Sequence, residues 1–218
     1  SPYRKSVLER LQIPFETDAL DIDESPKAEE TPQALVARLA ESKARAVAER
    51  HPNALIIGSD QVSVRDGEIL GKPGSHDKAV EQLRRASGKT VRFLTGLCLL
   101  NSATGHAQVE VVPFEVVFRE LTDAQIENYL RIDQPYNCAG SFRSEALGVV
   151  LFERMIGDDP TALIGLPLIR LSRMLEREGL TDHIVVVTRW YGGTKLGGDR
   201  FRRVQDCVHA YLEMRPKG

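Results

Sequence analysis

The chain has 218 residues, 42% of them hydrophobic, which suits one large domain or two small ones and excludes a disordered composition. Its 29 basic and 31 acidic residues leave a net charge of −2, so no overall field draws it to nucleic acid or to an anionic membrane, and an anionic ligand must be held by locally placed groups. No apolar run reaches the ~20 residues of a membrane span and no signal peptide is visible, so a cytoplasmic protein is expected, in a chain that begins without Met as a trimmed one would.

Ser1-Pro2 reads as the cap and first position of a helix whose apolar face is Val7, Leu8 and Leu11. Thr31-Pro32 repeats the signal, and Leu35, Val36, Leu39 and Val47 form the stripe of a second helix. Lys43 lies on that stripe. "ALIIGSDQVSV" reads as a strand ending in polar residues, and Asp66-Gly67 signals a hairpin to "EIL". Ser75 caps a helix that ends near Gly88. "TVRFLTGLCLLN" and "HAQVEVVPFEVVFRE" then form a broad hairpin across "SATG". Thr122 to Gln125 fits a capping box before "IENYLRI". "ALGVVLFERMI" reads as a strand, Gly157 to Pro160 as a turn, and "GLPLIRLSRMLEREG" as a helix closed by Gly179. This alternation predicts a mixed α/β fold.

The last segment differs. "HIVVVTRWYGGTKLGGDRF" reads as a strand and a glycine-rich loop, after which Asp199 caps a helix with Phe201, Val204, Val208, Tyr211 and Leu212 on its apolar face. Residues 180–218 are too few to be expected to fold alone, so they should pack on residues 1–179 or on a partner. Gly192, Gly193, Gly197 and Gly198, near Lys195 and Arg200, could cradle phosphate, but they match neither GxGxxG nor GxxxxGK[ST], and a tight strand-to-helix connection explains them equally. Cys98, Cys138 and Cys207 are odd in number, without a CxxC pair, and argue for free thiols in a reducing compartment rather than for a zinc site.

Several charged residues could carry chemistry. Asp60 and Gln61 end a strand, where open α/β sheets commonly place a ligand; a polar turn is the plainer explanation. Lys43 either snorkels to water or points an ammonium into a cleft where it neutralises phosphate. Arg4 and Lys5 oppose the dipole of the first helix unless an anion lies there. Lys72, on the restricted Gly71-Lys72-Pro73 loop, poses the same choice between surface charge and phosphate ligand. Glu24, in "DIDES", is either a solvated loop residue or an oxygen ligand for Mg²⁺. Together these residues reach a polyphosphate site with one or two carboxylates, and no further.

The segments "SPYRKSVLERL", "DIDE", "LAESKA", "GSDQV", "GKP", "LTGL", "CAGSFRSEALG" and "GLPL", in this order from Ser1 to about Gly179, resemble the Maf-like nucleotide pyrophosphatases, nearest to their 7-methyl-GTP subfamily. The resemblance implies an elongated α/β fold with a cleft, of the Maf and ITPase-like kind. It also implies hydrolysis of a nucleoside triphosphate between its α and β phosphates with a divalent cation, Mg²⁺ or Mn²⁺. It makes Asp60 the base that activates water, Arg4, Lys43 and Lys72 phosphate ligands, and Glu24 a neighbour of the metal with Asp60. Lys5 stands where the family often has Arg. Tyr3, Gln61 and Glu145 match positions of base selection. A ring and a carboxylate suit the delocalised positive charge of a guanine methylated at N7.

Family members begin with a further apolar strand that is absent before Ser1 here, and the tail resembles the "VVVxRWxGGxxLGxDRF" of IMPACT-family domains. The expected protein is therefore a chimera-like nucleotide pyrophosphatase whose tail strand, Ile184 to Thr188, fills the vacated sheet position. It would take a small nucleotide, with no nucleic-acid or membrane partner and with room for a homodimer. The alternatives are an inactive nucleotide-binding or regulatory protein and an interaction module whose tail binds a translation-related partner.

Overall fold

In the computed structural model, residues 1–179 and the backbone of 185–188 are described. The first helix, α1 (Pro2–Leu8), is capped by the Ser1 hydroxyl, which accepts from the Arg4 N–H. Thr31 does the same for α2 (Pro32–Ala46) and Ser75 for α3 (His76–Ala86). Before α4 (Asp123–Asp133), Thr122 and Gln125 form the reciprocal capping box the sequence predicts. Each such cap satisfies a backbone donor that the helix leaves unpaired, a contribution of about 1 kcal/mol.

Two segments depart from their sequence pattern. The run Ala146 to Ile156 is a strand only in its second half, β6 (Phe152–Ile156); Leu147–Leu151 is a tight helical turn. The Gly148 N–H bonds to the Arg143 carbonyl there, and any side chain at Gly148 would strike that carbonyl. The Gly157–Pro160 turn leads directly into a short helix, α5 (Pro160–Ile164), because the buried Asp159 carboxylate accepts from Thr161 and from the N–H of Ile169. That second bond ties α5 to α6 (Leu168–Arg177).

The remaining strands are β1 (Phe15–Asp18), β2 (Leu55–Arg65), β3 (Glu68–Leu70), β4 (Thr90–Asn101), β5 (Ala107–Phe118) and β7 (Val185–Thr188). Among the described residues they form one sheet in the order β1-β7-β2-β4-β5-β6, with β3 on the outer edge of β2. The strands β2 to β6 pair antiparallel, whereas β7 lies between β1 and β2 and runs parallel to both. Val185 to Thr188 pair with Leu55 to Gly58. Ile184, the tail glycines and the segment from Asp199 to Leu212 lie outside the described residues.

The outer edge of β2 is thus occupied twice, by β7 up to Gly58 and by β3 from Ser63 onward. Among the described residues, Ser59 to Val62 lie between the two with only β4 beside them. Strand alternation fixes what lies on either face. Leu55, Ile57, Leu97 and Leu99 pack against Val7 and Leu8 of α1 and Leu171 and Met174 of α6. Ile56, Cys98 and Leu100 pack against Ala40, Ala44 and Val47. The sheet is therefore a middle layer, with α2 on one side and α1, α5 and α6 on the other.

Two glycines set how closely α2 approaches. A Cβ at Gly58 would stand 2.0 Å from the Ala40 carbonyl oxygen, and one at Gly96 would stand 2.0 Å from that of Val36. Only a residue without a side chain lets the helix backbone rest on the strands here. One helical turn past Ala40 stands Lys43, and one strand repeat past Gly58 stands Asp60.

Candidate active site

Beside the gap in the edge of β2 opens a cavity of about 310 Å³. Of the residues singled out from the sequence, Tyr3, Arg4, Glu24, Lys43, Asp60, Gln61, Lys72 and Glu145 all line it. They come from α1, the acidic loop before α2, α2 itself, β2, the loop after β3 and the loop after α4, so the fold gathers six separate segments at one place.

Lys43 is its centre. Its side chain is 7% exposed, and its ammonium donates to Asp60 Oδ1 at 2.6 Å and lies 2.7 Å from Glu24 Oε1. The lysine does not snorkel to open water. The apolar stripe of α2 carries it against the sheet, and the close packing at Gly58 brings it to Asp60, which faces α2 from the same side of β2. Glu24 is held from elsewhere: the Arg38 guanidinium forks onto Glu30 and donates to the Ser25 carbonyl at 3.0 Å, pinning the loop next to Glu24.

Arg4 plays a part the sequence could not reveal. It is 8% exposed, and it donates from Nε to the Gly165 carbonyl at 2.7 Å and from Nη1 to the Ser59 carbonyl at 2.8 Å. The second bond satisfies a carbonyl on the open edge of β2, between β7 and β3. Burial draws its pKa down from the usual arginine value, while the Asp60 and Glu24 carboxylates draw it back up. Arg4 therefore reaches the cavity as a wall clamped to two backbones, with only part of its guanidinium left for a ligand. Lys5 corrects the expectation of a paired cation. It does not line the cavity, since the next helical residue points about 100° away, and its exposed ammonium is 4.0 Å from Glu9. Lys72 makes no ion pair among the described residues.

Gln61 faces away from α2. Its Nε2 donates to Thr95 Oγ1 at 2.9 Å and to the Ala162 carbonyl at 2.8 Å, which fixes the side chain on the cavity lining. Tyr3, Cys138, Phe142, Arg143 and Glu145 also line the cavity. Arg143 escaped the sequence reading. Its Nη2 bonds to both the carboxylate and the carbonyl of Asp133, the latter at 2.9 Å, and the Tyr129 hydroxyl donates to the same carboxylate at 2.7 Å. The signal that could have found this pair is Asp133 itself, which follows Ile126, Tyr129 and Leu130 on the buried stripe of α4 just as Lys43 does on that of α2.

Chemically, the cavity lining offers a carboxylate against an ammonium, the further cations Arg4, Lys72 and Arg143, and the ring of Tyr3 with the carboxylate of Glu145. As for a divalent cation, no cluster of three or more ligating side chains exists among the described residues. Yet Glu24 and Asp60 converge on a single point at Lys43 with hard oxygen donors, and one or two carboxylates with substrate phosphates are what Mg²⁺ ordinarily takes.

The sequence match gives the class: the chain belongs to the Maf-like protein family, whose model matches residues 1–178. Residues 165–212 match a second model, the Impact N-terminal domain. A protein of Nitrosococcus oceani named 7-methyl-GTP pyrophosphatase is 60% identical over 179 residues, which cover 82% of this chain and 90% of that relative.

Proposed function

We propose that the chain hydrolyses nucleoside triphosphates to a monophosphate and pyrophosphate, with 7-methyl-GTP as its preferred substrate. The observation that carries this reading is the ammonium of Lys43 held between Asp60 and Glu24 on the cavity wall. The name of the 60% identical relative supports the choice of substrate.

In this reading the triphosphate lies along Lys43, Lys72 and the free part of Arg4, whose charges offset its own. Asp60 orients a water molecule and accepts its proton while the new P–O bond forms. The bridging oxygen then leaves with the pyrophosphate. Tyr3 offers a ring face to the base, and Glu145 an anion to its methylation charge. Glu24 and Asp60 would hold a divalent cation, Mg²⁺ or Mn²⁺, which when bound neutralises phosphate charge and makes the attacking water more acidic. The order of the sheet also gives the tail a role: β7 joins β1 to β2 just before the residues that carry Asp60.

The test is a comparison of pyrophosphate release from 7-methyl-GTP, GTP, UTP and dTTP with Mg²⁺. 7-methyl-GTP should be turned over with the highest kcat/KM. Best turnover of UTP or dTTP would overturn the choice of base but not the reaction.

A further inference from the structure

We infer that Arg143 is a specificity-determining residue that donates a hydrogen bond to the 6-oxo group of a guanine-type base, from a guanidinium fixed in place by Asp133. The inference rests on the proposed nucleotide reaction and concerns how its base is chosen.

Three observations carry it. First, the guanidinium is built into the wall. Asp133 is a buried carboxylate on α4, and it accepts from Arg143 Nη2 and from the Tyr129 hydroxyl, while the Tyr129 oxygen accepts from the Arg143 backbone N–H at 3.1 Å. Side chain and backbone of Arg143 are thereby tied to one helix.

Second, the donors of the guanidinium are nearly all accounted for. Nη2 is committed to Asp133, and Nε is buried without a partner among the described residues. The side chain nevertheless lines the cavity with 30% of its surface exposed. The Tyr3 side chain, on the same cavity wall, is a further hydrogen-bond partner of the guanidinium, and the N–H groups beyond these contacts are the ones available to a ligand.

Third, the charge is wrong for phosphate and right for a base. Paired with Asp133, Arg143 adds no net positive charge at its end of the cavity; the pair keeps directional N–H donors and loses the attraction of a bare cation. An unpaired cation would repel a base methylated at N7, which is itself positive. Two residues further on, Glu145 lines the same cavity as a carboxylate. A guanine edge presents an oxygen acceptor beside two N–H donors. One donor from Arg143 and one acceptor from Glu145 match it, whereas adenine, with an amino group in place of the oxygen, would set donor against donor.

The experiment compares 7-methyl-GTP with its analogue in which hydrogen replaces the 6-oxo group, using the full chain with Mg²⁺. A hydrogen bond from a charged donor to a buried acceptor supports a discrimination of roughly 10- to 100-fold. Wild type should favour 7-methyl-GTP by that factor, mainly through KM. The analogue also lacks the N1–H whose hydrogen bond Glu145 accepts, so Arg143→Met should reduce the preference about 10-fold without abolishing it, and Arg143→Lys should restore part of the loss. A purely structural Arg143 would change both substrates alike, and a preference as large in Arg143→Met as in wild type overturns the inference. The wild-type comparison requires no variant, so equal KM values for the two nucleotides overturn it even if Arg143→Met does not fold. Should wild type hydrolyse neither, the pyrophosphatase reading itself fails, an outcome distinct from loss of selectivity alone.

Discussion

Lys43 Nζ lies 2.6 Å from Asp60 Oδ1, the two residues belonging to a helix and a sheet that approach this closely because Gly58 and Gly96 lack side chains. The ammonium is shared with Glu24, so a single cation holds together two carboxylates from different segments. Lys43→Ala removes the group that balances both carboxylates and meets the phosphates. The expected outcome is a kcat/KM for the nucleotide lower by roughly 10- to 100-fold, the worth of a charge-assisted hydrogen bond. Steady-state pyrophosphate release checks it, and an unchanged value would assign Lys43 to packing alone.

Gly58→Ala tests the packing that makes this pair. The added methyl would stand 2.0 Å from the Ala40 carbonyl oxygen, a backbone atom that cannot rotate aside. The helix must move, at a cost of about 1–3 kcal/mol or more. Thermal unfolding should show a lower Tm, and activity of the folded fraction should fall because Lys43 and Asp60 are drawn apart. Wild-type activity in a destabilised Gly58→Ala would contradict the dependence of the site on this contact.

The acidic loop carries a pH signature. Hydrogen bonds from the Arg38 guanidinium, and then from the Lys27 N–H, lower the pKa of Glu30 from 4.5 to about 2. A group whose pKa is depressed on folding stabilises the folded state above its unfolded value and ceases to do so as pH falls through the folded one. The difference in Tm between wild type and Glu30→Gln should therefore be steady above pH 4.5 and shrink as pH falls from 4.5 toward about 2. A difference that is constant over that interval would show that Glu30 does not anchor the loop through its charge.

Much of this was legible from local signals. Ser1, Thr31, Ser75 and Thr122 mark four helix starts because an N-cap is a property of a few adjacent residues. The charge of Lys43 on an apolar stripe marked it as unusual for the same reason, but left open whether its ammonium reaches water or a cleft. What was not legible depends on distance along the chain. The partners of Arg4 are 161 and 55 residues away, so nothing near it reveals a guanidinium clamped to backbone carbonyls. Lys5 misled because adjacency in sequence is not adjacency on a helix. Among the described residues the short strand β1 pairs only with β7, whose residues lie far along the chain, and four residues carry too little periodicity to announce it.

The proposed hydrolysis turns on the carboxylate of Asp60, and the most direct measurement is pyrophosphate formed per 7-methyl-GTP consumed, by wild type and by Asp60→Asn, with Mg²⁺ present. Wild type should release one pyrophosphate for each monophosphate, and Asp60→Asn, isosteric but unable to accept the proton, should be slower by about 10²- to 10⁴-fold in kcat with its Tm nearly kept. Equal rates for the two proteins, or release of orthophosphate in place of pyrophosphate, would contradict the account.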